Sequence, residues 1–328
     1  MSKILYEKMS DCLDAFIRQI AKTSALVNET GLLTGKVGIA ILLYHYARYK
    51  NDPQTLATAN SLIDVIIQEI SQEEIRSFDR GLSGIAWGFN YLVEQGFLES
   101  DDDAFGDIDH ALFKEEDKLS INKYGVEVDM EKGLYILSKL KKKNNQEVYR
   151  GYMLKYLQDM HFTLTLRYLS NNIIPIPCND ILRIVHICDY LKDDDFFKSA
   201  VDALYVELKE VLDMTLFLER NRSDKYMLLH LLKYVSCFKN HLLEETRLES
   251  TTLKEVNRLY LNQLLLGRDI PVPRIIPSTL ISIIEDKKRT DELLKLLNPG
   301  NVGLENYATG LAWSMLQCCI DHNTPDKT

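Results

Sequence analysis

Two kinds of apolar pattern alternate along this chain. From Val37 to Tyr49 nearly every position is apolar: Val37, Ile39, Ala40, Ile41, Leu42, Leu43, Tyr44, Tyr46, Ala47 and Tyr49. A helix apolar on every side must be buried on every side. From Thr55 to Ile70 the apolar residues Leu56, Ala59, Leu62, Ile63, Ile66, Ile67 and Ile70 are separated by Asn60, Asp64, Gln68 and Glu69. That spacing describes a helix with one face in water. An enclosed helix followed by a half-exposed one, used repeatedly, predicts an inner ring of helices wrapped by an outer ring. Outer-type patterns recur at Asp202–Leu218 and Leu253–Leu266, and no segment carries the period-two alternation of a strand.

The clearest enclosed patterns open on glycine, which the middle copies lose. Gly35-Lys36-Val37-Gly38-Ile39-Ala40 and Gly81-Leu82-Ser83-Gly84-Ile85-Ala86 are copies of one string 46 residues apart, and Gly303 to Ala312 is a partial third. Recurrence at such a period marks a repeated supersecondary unit. Weaker copies begin at Gly133, Asn179, Tyr226 and Pro277, and the last enclosed helix runs from Tyr307 to Ile320. Glycine early in a helix costs about 1 kcal/mol relative to alanine, so its repetition has a packing or a binding reason. Close approach of backbones is one reason. Helix N-termini directed at a ligand are the other. Asn51-Asp52-Pro53 predicts a turn, Gln95-Gly96 a helix end, and Ser71 to Glu74 the start of a further helical turn.

Composition narrows the partners. A net charge of −9 and a pI near 5.4 exclude a phosphate-binding basic surface and leave a basic peptide compatible. Glu7, Asp11, Asp14 and Arg18 interrupt any signal-peptide core, and no apolar run reaches the roughly 20 residues of a membrane span. The six cysteines show no disulfide framework, which fits a cytoplasmic location.

The strings Gly31-Leu32-Leu33-Thr34-Gly35-Lys36-Val37-Gly38-Ile39-Ala40, Gly81-Leu82-Ser83-Gly84-Ile85-Ala86-Trp87-Gly88 and Gly310-Leu311-Ala312-Trp313 resemble the glycine motifs of the lanthionine synthetase C-like (LanC-like) family. The resemblance is specific at these motifs and loose from about Gly133 to Thr290. It implies an all-α fold, an α/α toroid of two concentric rings with up to seven inner and outer repeats, here as a single domain over residues 1–328. It also implies a role in bacterial, lanthipeptide-type peptide modification, with a precursor peptide or a partner modification enzyme as the binding partner. Family cyclases hold zinc through two cysteines and a histidine, and the metal turns the substrate thiol into a nucleophilic thiolate. Their Cys-His-Gly and Trp-Cys motifs are missing: no cysteine here precedes a histidine, and neither Trp87 nor Trp313 precedes a cysteine. The resemblance therefore implies the fold without the zinc, so no cofactor is expected and catalytic activity is left open.

Other chemistries rest on fewer residues. Cys237/His241 and Cys318/His322 have i, i+4 spacing and are the candidates for a non-standard metal site, although buried cysteines and surface histidines account for them as well. Cys178 precedes a helix, where a thiol pKa falls. Asp101, Asp103 and Gly106 match part of a calcium loop whose bidentate carboxylate is absent, so Asp107 or Asp109 more simply starts a helix. At the ends of the enclosed helices the expected ligand-binding residues are Thr34, Asp79, Arg80, Asn179, Asp180, Asn306 and Tyr307. Asp79, Asp180 and Glu305 are the weak candidates for a carboxylate-based, glycoside-hydrolase-like site, an alternative to peptide binding. An Asp at a helix start is first of all a cap.

Overall fold

The computed structural model describes residues 3–70, 73, 75, 77–99, 106–113, 120–122, 125–127, 132–142, 146–169, 178–218, 253–266, 278–295 and 307–323. The fold is all-α apart from one short hairpin, and the chain divides into two compact units, Met1–Glu99 with Glu249–Thr328, and Ser100–Leu248. None of the described helices is long and apolar enough to cross a membrane.

In the first unit, α1 (Lys3–Ser24), α2 (Lys36–Lys50), α3 (Pro53–Glu69) and α4 (Leu82–Glu94) come from the N-terminal part of the chain. The chain returns to that unit with α10 (Leu253–Leu266), α11 (Ser278–Glu285), α12 (Lys287–Lys295) and α13 (Tyr307–Asn323). The two helix types are as the pattern predicts. Every residue of α2 from Lys36 to Ala47 is buried, whereas α3 buries Thr55, Ala59, Leu62, Ile63 and Ile66 along one face. The turn between them uses Asn51 in the left-handed region (φ 53°), Asp52 as N-cap and Pro53 at the first helical position. Asp52 accepts from the Gln54 N–H (3.0 Å) and from the Thr55 hydroxyl (2.6 Å), which meets otherwise orphaned donors.

Paired contacts fix the directions. Tyr44 donates to Asn60 (2.7 Å) and Lys36 to Glu69 (2.6 Å), so α3 runs antiparallel to α2. Tyr6 with Tyr49 (2.6 Å) and Tyr46 with Asp14 (2.9 Å) make α1 antiparallel to α2 as well. In contrast, Gly88 lies against Val37 and Ile41 while His45 bonds Tyr91 (2.8 Å), so α4 is parallel to α2. His45 against Trp313 and Tyr49 against Cys319 give α13 the same direction. Within this unit three enclosed helices point one way and amphipathic helices run back along them.

The second unit holds α5 (Gly106–Phe113), β1 (Ser120–Asn122), β2 (Gly125–Glu127), α6 (Lys132–Leu140), α7 (Gln146–Leu169), α8 (Cys178–Leu191) and α9 (Lys198–Leu218). Here α6 and α8 are the enclosed type: Gly133–Leu137 and Ile181–Val185 are buried without interruption. Gly133 lies under the Tyr156 ring, where a Cβ would overlap it, so α6 and α7 approach closely. The antiparallel β1–β2 pair, with Ile121 opposite Val126, is a minor addition to the all-α fold. Strands of three residues are too short to register as alternation in a sequence. The expected helix start at Tyr226 lies outside the described residues.

Candidate functional site

The glycine loops that open α2 and α4 are the same structure built twice. The Lys36 N–H donates to the Glu29 carbonyl (2.9 Å) and the Leu82 N–H to the Ile75 carbonyl (2.9 Å), each bond closing the loop onto the first helical residue. The N-caps share one extended conformation, φ −132°, ψ −161° at Gly35 and φ −120°, ψ −159° at Gly81. A Cβ on Gly35 would run into the Glu29 carbonyl, and one on Gly84 into the Phe78 carbonyl oxygen. The loops also clasp each other. The Leu33 N–H donates to the Asp79 carbonyl (2.9 Å), and a Cβ on Gly31 would meet the Arg80 backbone. Glycine is therefore required here by close backbone packing. The Val37 N–H is also taken, by the Thr30 carbonyl (3.2 Å), so the first two amides of α2 are spent inside the loop.

The side chains around the loops are mostly engaged in holding them. Glu73, expected to begin a helical turn, instead accepts from the Thr30 hydroxyl (2.9 Å) and from the Ile75 N–H (2.9 Å). Lys36 is buried and meets Glu69 at 2.6 Å, which compensates a charge that would otherwise be costly inside the fold. Asp79 accepts from the Ser77 hydroxyl (2.6 Å) and lies 3.4 Å from the exposed Arg80 guanidinium. One predicted residue stands apart: the Thr34 hydroxyl is buried and has no hydrogen-bond partner among the described residues.

Asp180 belongs to the second unit, in the first turn of α8, with Arg183 one turn on at 3.6 Å. Asn179 and Tyr307 are placed by backbone in the first turns of α8 and α13, and Glu305 and Asn306 lie outside the described residues. Asp79 and Asp180 thus each have a local basic partner, which is how helix-start carboxylates are ordinarily used.

Zinc does not fit the described cysteines. Cys12, Cys188 and Cys319 are buried, and burial pushes the Cys319 thiol up to about 12, against the thiolate a zinc ligand must be. Cys12 is raised by burial as well. Cys318 lies 3.1 Å from the Tyr260 hydroxyl. No cluster of three or more His, Cys, Asp or Glu side chains able to hold a metal occurs among the described residues. Cys237 and His241 lie outside them, as do the side chains of Cys178 and His322.

Two polar groupings escaped the sequence reading. Asp109, expected only to start α5, accepts hydrogen bonds from Tyr135 and Tyr149 and lies 3.8 Å from Lys139. Burial and the neighbouring carboxylate together push the Tyr135 phenol far above its ordinary range, so it stays a neutral donor. On α13, Thr309 Oγ1 and Trp313 Nε1 are buried without hydrogen-bond partners among the described residues. Asp109 meets its partners across 26 and 40 residues of chain, a separation with no local sequence signal.

The sequence model of lanthionine synthetase C-like proteins matches residues 3–153, that is 151 of the 328 residues. No curated protein and no solved structure matches the chain significantly. The matched stretch contains α1 to α6, both complete glycine loops and the enclosed helices that follow them. Over residues 3–153, the chain is similar to lanthionine synthetase C-like proteins.

Proposed function

We propose that this protein serves lanthipeptide-type peptide modification as a zinc-free, catalytically degenerate member that binds a precursor peptide or a partner modification enzyme. The observation that carries the reading is a dissociation within one family pattern. The glycine loops are kept in full, twice, down to the same hydrogen bond, while the cysteine and histidine motifs of the cyclases are gone. A thiol cannot be activated by a metal without its ligands. Binding needs only the scaffold and a polar group beside the glycine loops to spare, such as the buried Thr34 hydroxyl, which has no partner among the described residues. A cytoplasmic location belongs to the same proposal, supported by six cysteines with no disulfide-framework spacing.

Retention on an array of immobilised random 15-residue peptides tests the binding half. The wild-type protein is expected to be retained by a subset of sequences, and Thr34→Val to lose roughly tenfold in affinity for them with an unchanged melting temperature. Equal retention of both proteins removes the glycine-loop end from the account. No retention of either contradicts peptide binding itself.

A further inference from the structure

Helix α13 carries two buried hydrogen-bonding groups without partners among the described residues. Thr309 is 0% exposed and Trp313 is 3% exposed, and neither Thr309 Oγ1 nor Trp313 Nε1 has a partner among the described residues. They are four residues apart, so they lie one turn apart on the same helix face. The Trp313 ring stands edge-on to His45 at 5.2 Å, which turns this face toward α2. Neighbouring polar groups are engaged: the Ser314 hydroxyl donates to the Gly310 carbonyl (2.9 Å), and His45 Nε2 bonds the Tyr91 hydroxyl (2.8 Å). Buried polar atoms are nearly always paired, so two unmet ones on one face call for an occupant.

The chemistry of the pair selects that occupant. An indole N–H only donates, and a threonine hydroxyl donates as readily as it accepts. Thr309 sits in the first turn of a 17-residue helix, where the backbone dipole favours negative charge. Two donors at the positive end of a helix suit an oxygen acceptor that carries charge. Enclosure adds a further restriction, because a chain passing through needs two openings whereas a chain end needs one. We propose that Thr309 Oγ1 and Trp313 Nε1 form a site for the terminal carboxylate of a peptide. The inference rests on the peptide-binding reading above and names the end of the peptide that is held.

Trp87 and Trp313 are the only tryptophans in the chain, so a ¹⁵N-labelled Trp87→Phe protein gives one indole N–H resonance, that of Trp313. N-acetylglycine, with a free carboxylate, is compared with N-acetylglycinamide. The acid is expected to move the Trp313 resonance downfield to saturation, and the amide to leave it in place. Thr309→Val keeps the shape and removes the hydroxyl. It is expected to weaken the acid about tenfold while melting no lower than its parent, since the lost group was unmet in the free protein. A resonance unmoved by the acid, moved equally by both probes, or equally responsive in Thr309→Val overturns the proposal. An unresponsive, slowly exchanging N–H would assign an internal water to the pair, and that also overturns it. Array retention with a silent Trp313 would leave the peptide-binding reading standing and remove only this site.

Discussion

At Gly84 an added methyl group would meet the Phe78 carbonyl oxygen, whereas at Gly96 it would meet nothing within 4 Å. Gly96 is instead held at φ +65°, ending α4 where left-handed backbone is needed. The two glycines are therefore required for different reasons, and the costs of replacing them separate the two. Gly84→Ala forces the loop off the helix and is expected to cost about 2–3 kcal/mol, in the range of core overpacking. Gly96→Ala pays only for its backbone conformation, about 1 kcal/mol. Urea unfolding followed by circular dichroism measures both, and equal losses would contradict the loop-packing account. This distinction was only half legible beforehand. The repeated string marks Gly84 as special and favours close packing over ligand binding, but only the Phe78 oxygen beside it shows which atoms require the glycine.

Among the elements, α8 carries a half-buried histidine, His186, beside its buried run Ile181–Val185. Burial, and then the charge of Lys141, push His186 down to about 4, with Asp189 opposing. The unfolded chain takes up its proton near pH 6.5. Below that value the unfolded state binds a proton that the folded state refuses, so this contribution is complete above about pH 6.5 and declines as pH falls toward 4. Thermal melts are expected to lose about 1–2 kcal/mol between pH 7 and pH 5 from this group, and His186→Gln to flatten that slope. An unchanged slope in the variant would place the histidine in solvent. Helix type was the most legible property at this scale. The pattern at Leu253–Leu266 gives α10 at those bounds, and the enclosed run after Gly35 gives α2. What could not be read were the three-residue strands of the β1–β2 hairpin, the Asp109 carboxylate between the distant Tyr135 and Tyr149, and the two buried groups on α13 without partners among the described residues. Periodicity reports which face of a helix is buried and is silent about which side chains that face will touch.

For the whole molecule, the first unit is assembled from both ends of the chain, with α1 packed against α11, α12 and α13. The family match covers residues 3–153, and the returning C-terminal helices lie beyond it. In the LanC-like pattern that late region supplies the Cys-His-Gly ligands, and here the corresponding Asn301-Val302-Gly303-Leu304 supplies none. Fold retention and loss of the metal motif are thus separable along the sequence. The zinc content of protein purified without added metal, determined by elemental analysis with and without cysteine blocking, tests that separation most directly. The account predicts no stoichiometric zinc in either sample. About one zinc per chain, lost on cysteine blocking, would mean that cysteines such as Cys237 or Cys318 rebuild a thiolate site, and would contradict the zinc-free reading.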